Sequence, residues 1–357
     1  MAETHPCSGC GADLQWSPGD GDLKCLYCGT TTQVTHAEEP AAVVEHDLYA
    51  ALMSAPKGWG QEVNEFRCTS CGAFTAVEPH VTATECAFCG TTQMEVQPVE
   101  EDVLRPESLL PFGIEKKTAK NGFQKWIKTL WFRPNDLKQR AKMDGLAGVY
   151  VPIWTFDALT DSDWNAEAGF HYYVTVSYTD SQGNSRTRQE QRTRWEWRNG
   201  RVKKRFDDWL VQASFGLSQE LFEGLLPYDT SGLVPYNTQY LAGFVAERYQ
   251  MSLEDGWGVG KQGMSGEVRA ACANDVPGDT YRNLNVSTRW SHETFKHCLV
   301  PVWMSAYRYK GKVYHYVVNG VTGKMHGTAP YSVLKIVGAV LLGAAVLAGL
   351  YYWAEYH

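Results

Sequence analysis

Basic side chains are nearly missing from the first 104 residues, which hold 3 Lys/Arg against 16 Asp/Glu. A region this acidic is poorly suited to gripping nucleic acid through its phosphates, and it suits a protein-docking module better. Residues 105–357 reverse the balance with 30 basic against 24 acidic residues, so the −7 of the whole chain hides two halves of opposite sign. Catalytic signatures are missing as well. There is no G-x-x-x-x-G-K-[ST] phosphate loop, which excludes an ATP-driven helicase of that type, and no G-x-S-x-G elbow. His292-Glu293-Thr294-Phe295-Lys296-His297 is one residue too long for a zincin, and histidines five apart do not share a helical face. Gly258-Val259-Gly260-Lys261-Gln262-Gly263 fits the dinucleotide fingerprint in letters only, because no clear strand precedes it and no alternating βαβ pattern surrounds it. Cys272 and Cys298 are isolated in apolar surroundings and read as core. No enzymatic activity is expected. The first ten residues, MAETHPCSGC, have neither a basic start nor an apolar stretch, so no secretory signal is expected and the thiols should stay reduced.

Cysteine is plentiful where it counts. Of ten, eight precede residue 90 as four Cys-x-x-Cys pairs: Cys7/Cys10, Cys25/Cys28, Cys68/Cys71 and Cys86/Cys89. Fourteen residues separate the two pairs of each set, and every cysteine of the second set lies 61 positions after its counterpart, so the region is an internal duplication. Two thiolates from one tight turn reach one ion, the following glycine lets the backbone curl around sulfur, and two such knuckles complete a tetrahedral site. A redox motif would be one pair near a βαβ unit, not four pairs in duplicate. The expectation is two zinc ribbons, each with one structural Zn2+ and no open position for substrate. Four thiolates around a divalent ion leave about −2 per site, which favours a protein partner further. His36 and His46 lie outside both quartets and read as ordinary surface residues.

One long apolar run exists. Ile336 to Ala354 carries no charge and as a helix would span about 28 Å, close to the hydrocarbon core. Lys324, His326 and Lys335 precede it; Tyr351, Tyr352 and Trp353 form an interfacial belt, with Glu355 beyond. The expected topology is a single-pass, tail-anchored protein of the cell membrane, its N-terminal bulk cytoplasmic and its C-terminus outside. Ala339/Gly343 and Ala345/Gly349, small residues four apart, would permit homo- or hetero-oligomers through this helix.

The expected organisation is zinc ribbon 1 (1–35), a helical linker (36–62) with its helix around Val43–Met53, zinc ribbon 2 (63–97) and a linker (98–108). An aromatic-rich domain (109–332), a transmembrane helix (333–354) and a short tail (355–357) follow. The fold class is α+β, with an antiparallel-sheet-rich central domain holding ten of the thirteen tryptophans. EKKTAKNGFQKWIKTLWF puts Ala119, Phe123, Trp126/Ile127 and Leu130 on one helical face. GVYVPIWTFDA reads as a buried strand, FHYYVTVSYTDSQGNSRTR and TRWEWRNGRVKKRFDDWLV as hairpins, the second turning at Asn199-Gly200. NTQYLAGFVAERY and the glycine-weakened SLEDGWGVGKQGMSGEVRAACA read as helices, and HCLVPVWMSAYRYKGKVYHYVVNGVTGKMHG as strands. Val151-Pro152-Ile153-Trp154 and Val300-Pro301-Val302-Trp303 echo one another, hinting at a second duplication.

The hairpin 186–209 carries a basic aromatic run: Arg186, Arg188, Arg192, Arg194, Trp195, Trp197, Arg198, Arg201, Lys203, Lys204 and Arg205. Such residues suit single-stranded nucleic acid, the anionic surface of a bilayer, or a plain solvated hairpin whose tryptophans face the core. All three readings stay open at this point.

The CxxCG quartets, with FDDWLVQAS (206–214), QYLAGFVAERY (239–249), TFKHCLVPVWMSAYRY (294–309) and VNGVTGKMHGTAPYSVLKI (318–336), give the chain a resemblance. It resembles the bacterial membrane-anchored double zinc-ribbon proteins, labelled TFIIB-type zinc-ribbon or primosomal-protein-N′-like, over nearly its whole length. True primosomal helicases carry a phosphate loop, which this chain lacks. Members of that family are often encoded near stomatin/flotillin-type and phage-shock-protein-A-like proteins. The resemblance therefore implies a non-enzymatic adaptor or scaffold that docks a protein partner in such a membrane assembly. The alternative is a membrane-tethered protein that binds single-stranded nucleic acid through the basic hairpin.

Overall fold

The computed structural model describes residues 5–34, 45–50, 64–77, 85–98, 104–137, 145–179, 181–310 and 312–356. The first ribbon is an antiparallel sheet of β1 (Leu14–Ser17), β2 (Asp22–Cys25) and β3 (Thr31–Thr32). The short β4 (His46–Asp47) follows, then the second ribbon with β5 (Asn64–Cys68), β6 (Phe74–Val77) and β7 (Met94–Gln97). After β8 (Ser108–Leu109) and helix α1 (Lys116–Thr129) come two very long strands, β9 (Ala147–Thr179) and β10 (Ser185–Gln212). Helix α2 (Gln219–Leu225), β11 (Val234–Pro235) and β12 (Val245–Glu247) lead into helix α3 (Leu253–Asp275). β13 (Thr280–Tyr309), β14 (Lys312–Asn319), β15 (Met325–Gly327) and helix α4 (Val333–Tyr356) complete the described fold. The class is mixed α+β and sheet-rich, as expected. Most of the helical linker expected at 36–62 lies outside the described residues. Of the helix expected around Val43–Met53, His46–Asp47 is instead a strand held by Thr294–Phe295 of β13, and His46 is not a plain surface residue but lies 2.6 Å from the Glu107 carboxylate.

β9 changes character along its length, and its sequence changes with it. Residues 148–158 are buried on both faces; Gly148 to Trp154 read as an apolar run, and the polar Thr155 and Asp157 are buried beyond it. Residues 160–168 alternate buried and open, as a sheet with one wet face requires. β13 pairs with β9 only as far as Gly169, so residues beyond it continue with β10 as a two-stranded arm.

Two expected elements are different in the structure. Asn199-Gly200 is no turn: β10 runs straight through it, with Gly200 opposite Trp164. A Cβ there would lie 2.5 Å from the Trp164 ring, so the glycine is required by the indole stacked over it rather than by a chain reversal. NTQYLAGFVAERY is not a helix either. Thr238–Leu241 makes one 3-10 turn, and Val245–Glu247 is a strand held on both sides, by β9 and by β6. Hydrogen bonds from two neighbours override the local helical period.

α3 is helical despite its glycines, because they form its contact face. A Cβ at Gly256 would stand 2.6 Å from Trp154, one at Gly260 3.0 Å from Phe156, and one at Gly263 2.7 Å from Trp209. The helix thus lies unusually close on the aromatic sheet, and Ser252 caps it by accepting the Asp255 amide at 3.1 Å. Gly256→Ala should cost about 1–3 kcal/mol, since the fully buried Trp154 cannot give way. Gly258, with nothing near its missing side chain, should behave oppositely: Gly258→Ala should gain up to about 1 kcal/mol. Melting temperatures of the two variants in detergent, moving in opposite directions, check this.

The ribbons are built into the rest. Ala246 on β12 pairs with Ala76 on β6 and with Tyr150 on β9, so the second ribbon shares the twelve-stranded sheet. The first keeps its own sheet but is pinned: Trp16 Nε1 donates to the Phe112 carbonyl at 3.0 Å, and Leu14, Trp16 and Leu23 pack in one cluster with Phe112, Tyr150 and Trp303. The two Val-Pro-x-Trp segments lie antiparallel to one another, with Val151 opposite Val300.

Candidate metal centres and the surfaces around them

Each quartet gathers its four sulfurs within 4.8 Å of one another. Cys7–Cys28 and Cys10–Cys25 stand at 3.4 and 3.5 Å, Cys68–Cys89 and Cys71–Cys86 at 3.6 Å. A tetrahedron with metal–sulfur bonds of about 2.3 Å places its sulfurs about 3.8 Å apart, so both cages fit a metal ion of that size. The backbone prepares them identically. Gly11, Gly29, Gly72 and Gly90 follow the knuckles at φ of 73°, 78°, 79° and 67°, each donating its amide back to the first cysteine's carbonyl at 2.8–3.0 Å. Only glycine takes that conformation without strain. The Gly9 and Cys71 amides point at Cys7 and Cys68 sulfur, at 3.3 and 3.4 Å. The thiols respond to their crowding: the Thr30 hydroxyl and amide pull Cys28 down to about 6, whereas the Cys71 thiol and burial push Cys86 up. Four thiolates cannot coexist at this spacing without a cation, which is the electrostatic condition a divalent ion satisfies.

The repeats differ in how their second knuckle packs. In the second knuckle of ribbon 1, Leu26 is 70% exposed and Tyr27 86% exposed. Phe88, at the position of Tyr27 in ribbon 2, is 1% exposed and packs in a core cluster with Val149, Val151 and Leu221. Ribbon 2 therefore spends its knuckle on the core, and ribbon 1 presents an apolar tip to solvent. Sequence reasoning had no means to separate them, since both are large apolar residues at the same step of a repeat.

The basic run is less free than its letters suggest. Arg201 bonds Asp161 and lies 3.7 Å from Asp163, Lys203 lies 3.9 Å from Asp161, and Lys204 pairs with Glu267. The Arg201 guanidinium holds the Asp161 carboxyl below its usual range. Arg194 and Arg198 share Glu196, Arg192 reaches Glu190 and Arg205 reaches Asp207. Trp195 lies under Arg282, whose guanidinium is 4.2 Å from its ring centre, while Trp197 is exposed. Arg188 stacks over Tyr178 at 5.7 Å, and Arg186 also stands on the exposed arm. The arm is thus a mixed-charge surface, not a uniform cationic one.

The motifs behind the resemblance meet in the interior. Asp208 sits on a bulge of β10 at φ 51°, and its carboxylate is 2.6 Å from the ammonium of buried Lys296. Asp157 accepts from the Asp208 amide at 2.5 Å and from the Thr294 hydroxyl at 3.0 Å. Ser214 donates to Glu247, and Asn319 donates to the Leu225 carbonyl at 3.1 Å. These contacts fix strand ends and bulges to one another. His297 falls on the extended β13, buried with its Nδ1 3.0 Å from the Leu104 carbonyl, while His292 sits at a bulge of that strand at φ 54°. The glycine fingerprint lies inside α3, where no strand feeds it.

Burial raises Glu247 from 4.5 to about 8. An acid lifted this way stabilises the fold fully only below its unfolded value, and that stability is lost as pH rises through about 8. The loss has a slope of about 1.4 kcal/mol per pH unit for one proton. Glu247→Gln should therefore flatten the decline in melting temperature between pH 6 and pH 8. A variant tracking the wild type over that window would contradict the assignment.

α4 is apolar all round and lies open along its length, with Val340, Leu341, Leu342 and Leu350 each more than half exposed. From Val333 to Glu355 it is long and apolar enough to cross a membrane.

Comparison with curated proteins finds similarity to the uncharacterized protein YdjG of Bacillus subtilis strain 168, 28% identical over 240 residues. The match covers 65% of this chain and 66% of that protein, so the chain spans just under two thirds of the relative's length. No family model matches the chain. No solved structure matches it either.

Proposed function

We propose that this protein is a membrane-tethered adaptor. α4 anchors it, two structural Zn2+ ions hold its ribbons, and the tip of ribbon 1 docks a protein partner while the bulk of the chain faces the cytoplasm. The observation that carries the reading is the exposed Leu26–Tyr27 pair, set on a rigid metal-held knuckle within an acidic region. An exposed apolar tip in a region whose sequence is strongly acidic suits a partner with an apolar pocket and a basic rim. The chemistry of the quartets favours zinc: four thiolates in a tetrahedral cage select it over harder ions. Lys324, His326 and Lys335 before the span and Glu355 near its end support the cytoplasmic orientation. The partner is proposed to belong to a membrane assembly of the stomatin/flotillin type that the resemblance implies.

The single-stranded nucleic-acid reading has less support, because the basic run is laced with Asp161, Asp163, Glu196 and Glu267. The test is co-purification in mild detergent after nuclease treatment. The double substitution Leu26→Ser, Tyr27→Ser should lose the co-purifying proteins while keeping the metal content of the wild type. Retention of the same partners would sink the tip as the docking surface.

A further inference from the structure

The membrane end of the fold carries a groove that neither the zinc sites nor the docking tip uses. It lies between the C-terminal end of α1 with the loop after it and the first turns of α4, and encloses about 590 Å³. Its two ends differ in chemistry. At one end stand Lys128, Arg133 and Lys335, and among the described residues no Asp or Glu lines the groove. At the other are Gly338, Ala339 and Leu342.

These positions have a direction. Lys335 is the third residue of α4, and Leu342 follows it by seven residues on the same face, about 10 Å further along the helix axis. With α4 in a bilayer, the cations fall at the headgroup level and the small apolar residues at the level of the first acyl carbons. The cations are also held in place. Lys335 Nζ donates to the Trp131 carbonyl at 3.1 Å, which ties the loop to the helix and leaves its other N–H groups to the groove. Arg133 bonds the Ala329 carbonyl and lies 3.6 Å from the Tyr331 ring centre. Trp131 lines the groove and is exposed, as interfacial aromatics are, and the exposed Phe132 follows it in the chain.

We infer that this groove binds one anionic phospholipid, with its phosphate among Lys128, Arg133 and Lys335 and an acyl chain laid along Gly338, Ala339 and Leu342. The charge at one end and the small residues at the other select the occupant: a phosphate with a hydrocarbon tail, in that order along the membrane normal. The site rests on α4 being membrane-inserted, and would make the domain's seating on the bilayer depend on lipid charge. Ala339 belongs to one of the small-residue pairs that would permit helix association, so a lipid there competes with a second helix on that face.

Native mass spectrometry of the full-length protein in mild detergent tests this, with dioleoyl-phosphatidylglycerol or dioleoyl-phosphatidylcholine added. The wild type should retain the anionic lipid at least about ten-fold better than the zwitterionic one. Lys128→Gln with Lys335→Gln should cut that preference about ten-fold. Ala339→Phe keeps every charge and should block retention by filling the apolar end. Millimolar inorganic phosphate should displace nothing. Equal retention of both lipids, unchanged retention in the variants, or displacement by free phosphate would each overturn the site. Carbonate extraction of the same preparations separates the two layers of the reading: a wild type that washes off membranes refutes the anchor, whereas an anchored protein without lipid preference refutes only the groove.

Discussion

Cys68→Ser should remove one metal ion per chain and weaken the whole sheet, whereas Cys10→Ser should remove one ion at a much smaller cost. The separate quartets suggest two interchangeable modules, but the two sites are embedded differently. Cys68 is wholly buried and shares a core cluster with Ala73, Phe88, Val149 and Val151. Its strand continues through β6 and β12 into β9. Cys10 is exposed at the edge of a small sheet of its own. A structural zinc site in a small domain is worth on the order of 10 kcal/mol of folding free energy. Losing it at Cys68 frees the β6 edge and opens the cluster around Phe88, so the melting temperature should fall by more than about 10 °C. The Cys10 variant should fall by less than half as much, since Trp16 still pins the first ribbon to Phe112. Elemental analysis with thermal unfolding in detergent reads both effects. Full metal content in Cys68→Ser would contradict the ligand assignment. Equal, small shifts in the two variants would contradict the welding of ribbon 2 into the sheet.

Val340→Arg with Leu347→Arg should release the protein from membranes. Both side chains are more than half exposed on α4 and lie seven residues apart on one face. Each arginine at the helix centre costs about 2.5–3.5 kcal/mol on the insertion scale, so the pair opposes insertion by a factor on the order of 10⁴. The proposed anchor rests on the length and uniform apolarity of this helix. Resistance of the membrane-bound fraction to carbonate should disappear in the variant. Persistent pelleting would place a second anchor elsewhere, and the arm with Tyr172, Tyr173 and Trp197 exposed would be the first surface to examine.

Much of this was legible in the letters. Two sets of paired Cys-x-x-Cys-Gly steps with the same internal gap announce two four-sulfur cages, and the glycine closing each step signals the positive φ of its turn. A charge-free run the length of a bilayer is equally direct. What escaped was everything decided by a neighbour distant in sequence. Asn199-Gly200 has the letters of a hairpin turn, yet Trp164, distant in sequence, decides that it is a strand. QYLAGFVAERY has a helical period, yet β6 and β9 claim it for a sheet. The helix of α3 is legible despite its glycines, but that Trp154, Phe156 and Trp209 pack against them is not. The exposed tip at Leu26–Tyr27 and the buried Phe88 are the same step of a repeat, distinguished only by what packs on each. The groove beside α4 needed two segments some two hundred residues apart to be brought together.

The most direct test of the adaptor is a photo-reactive amino acid placed at Tyr27 in the full-length protein in living cells, with Val96, an exposed residue of ribbon 2, as the control. The expected result is a discrete set of protein adducts at position 27 that survives nuclease and is missing at position 96. No adducts at position 27, the same adducts at both positions, or adducts that vanish with nuclease would contradict protein docking through the tip of ribbon 1.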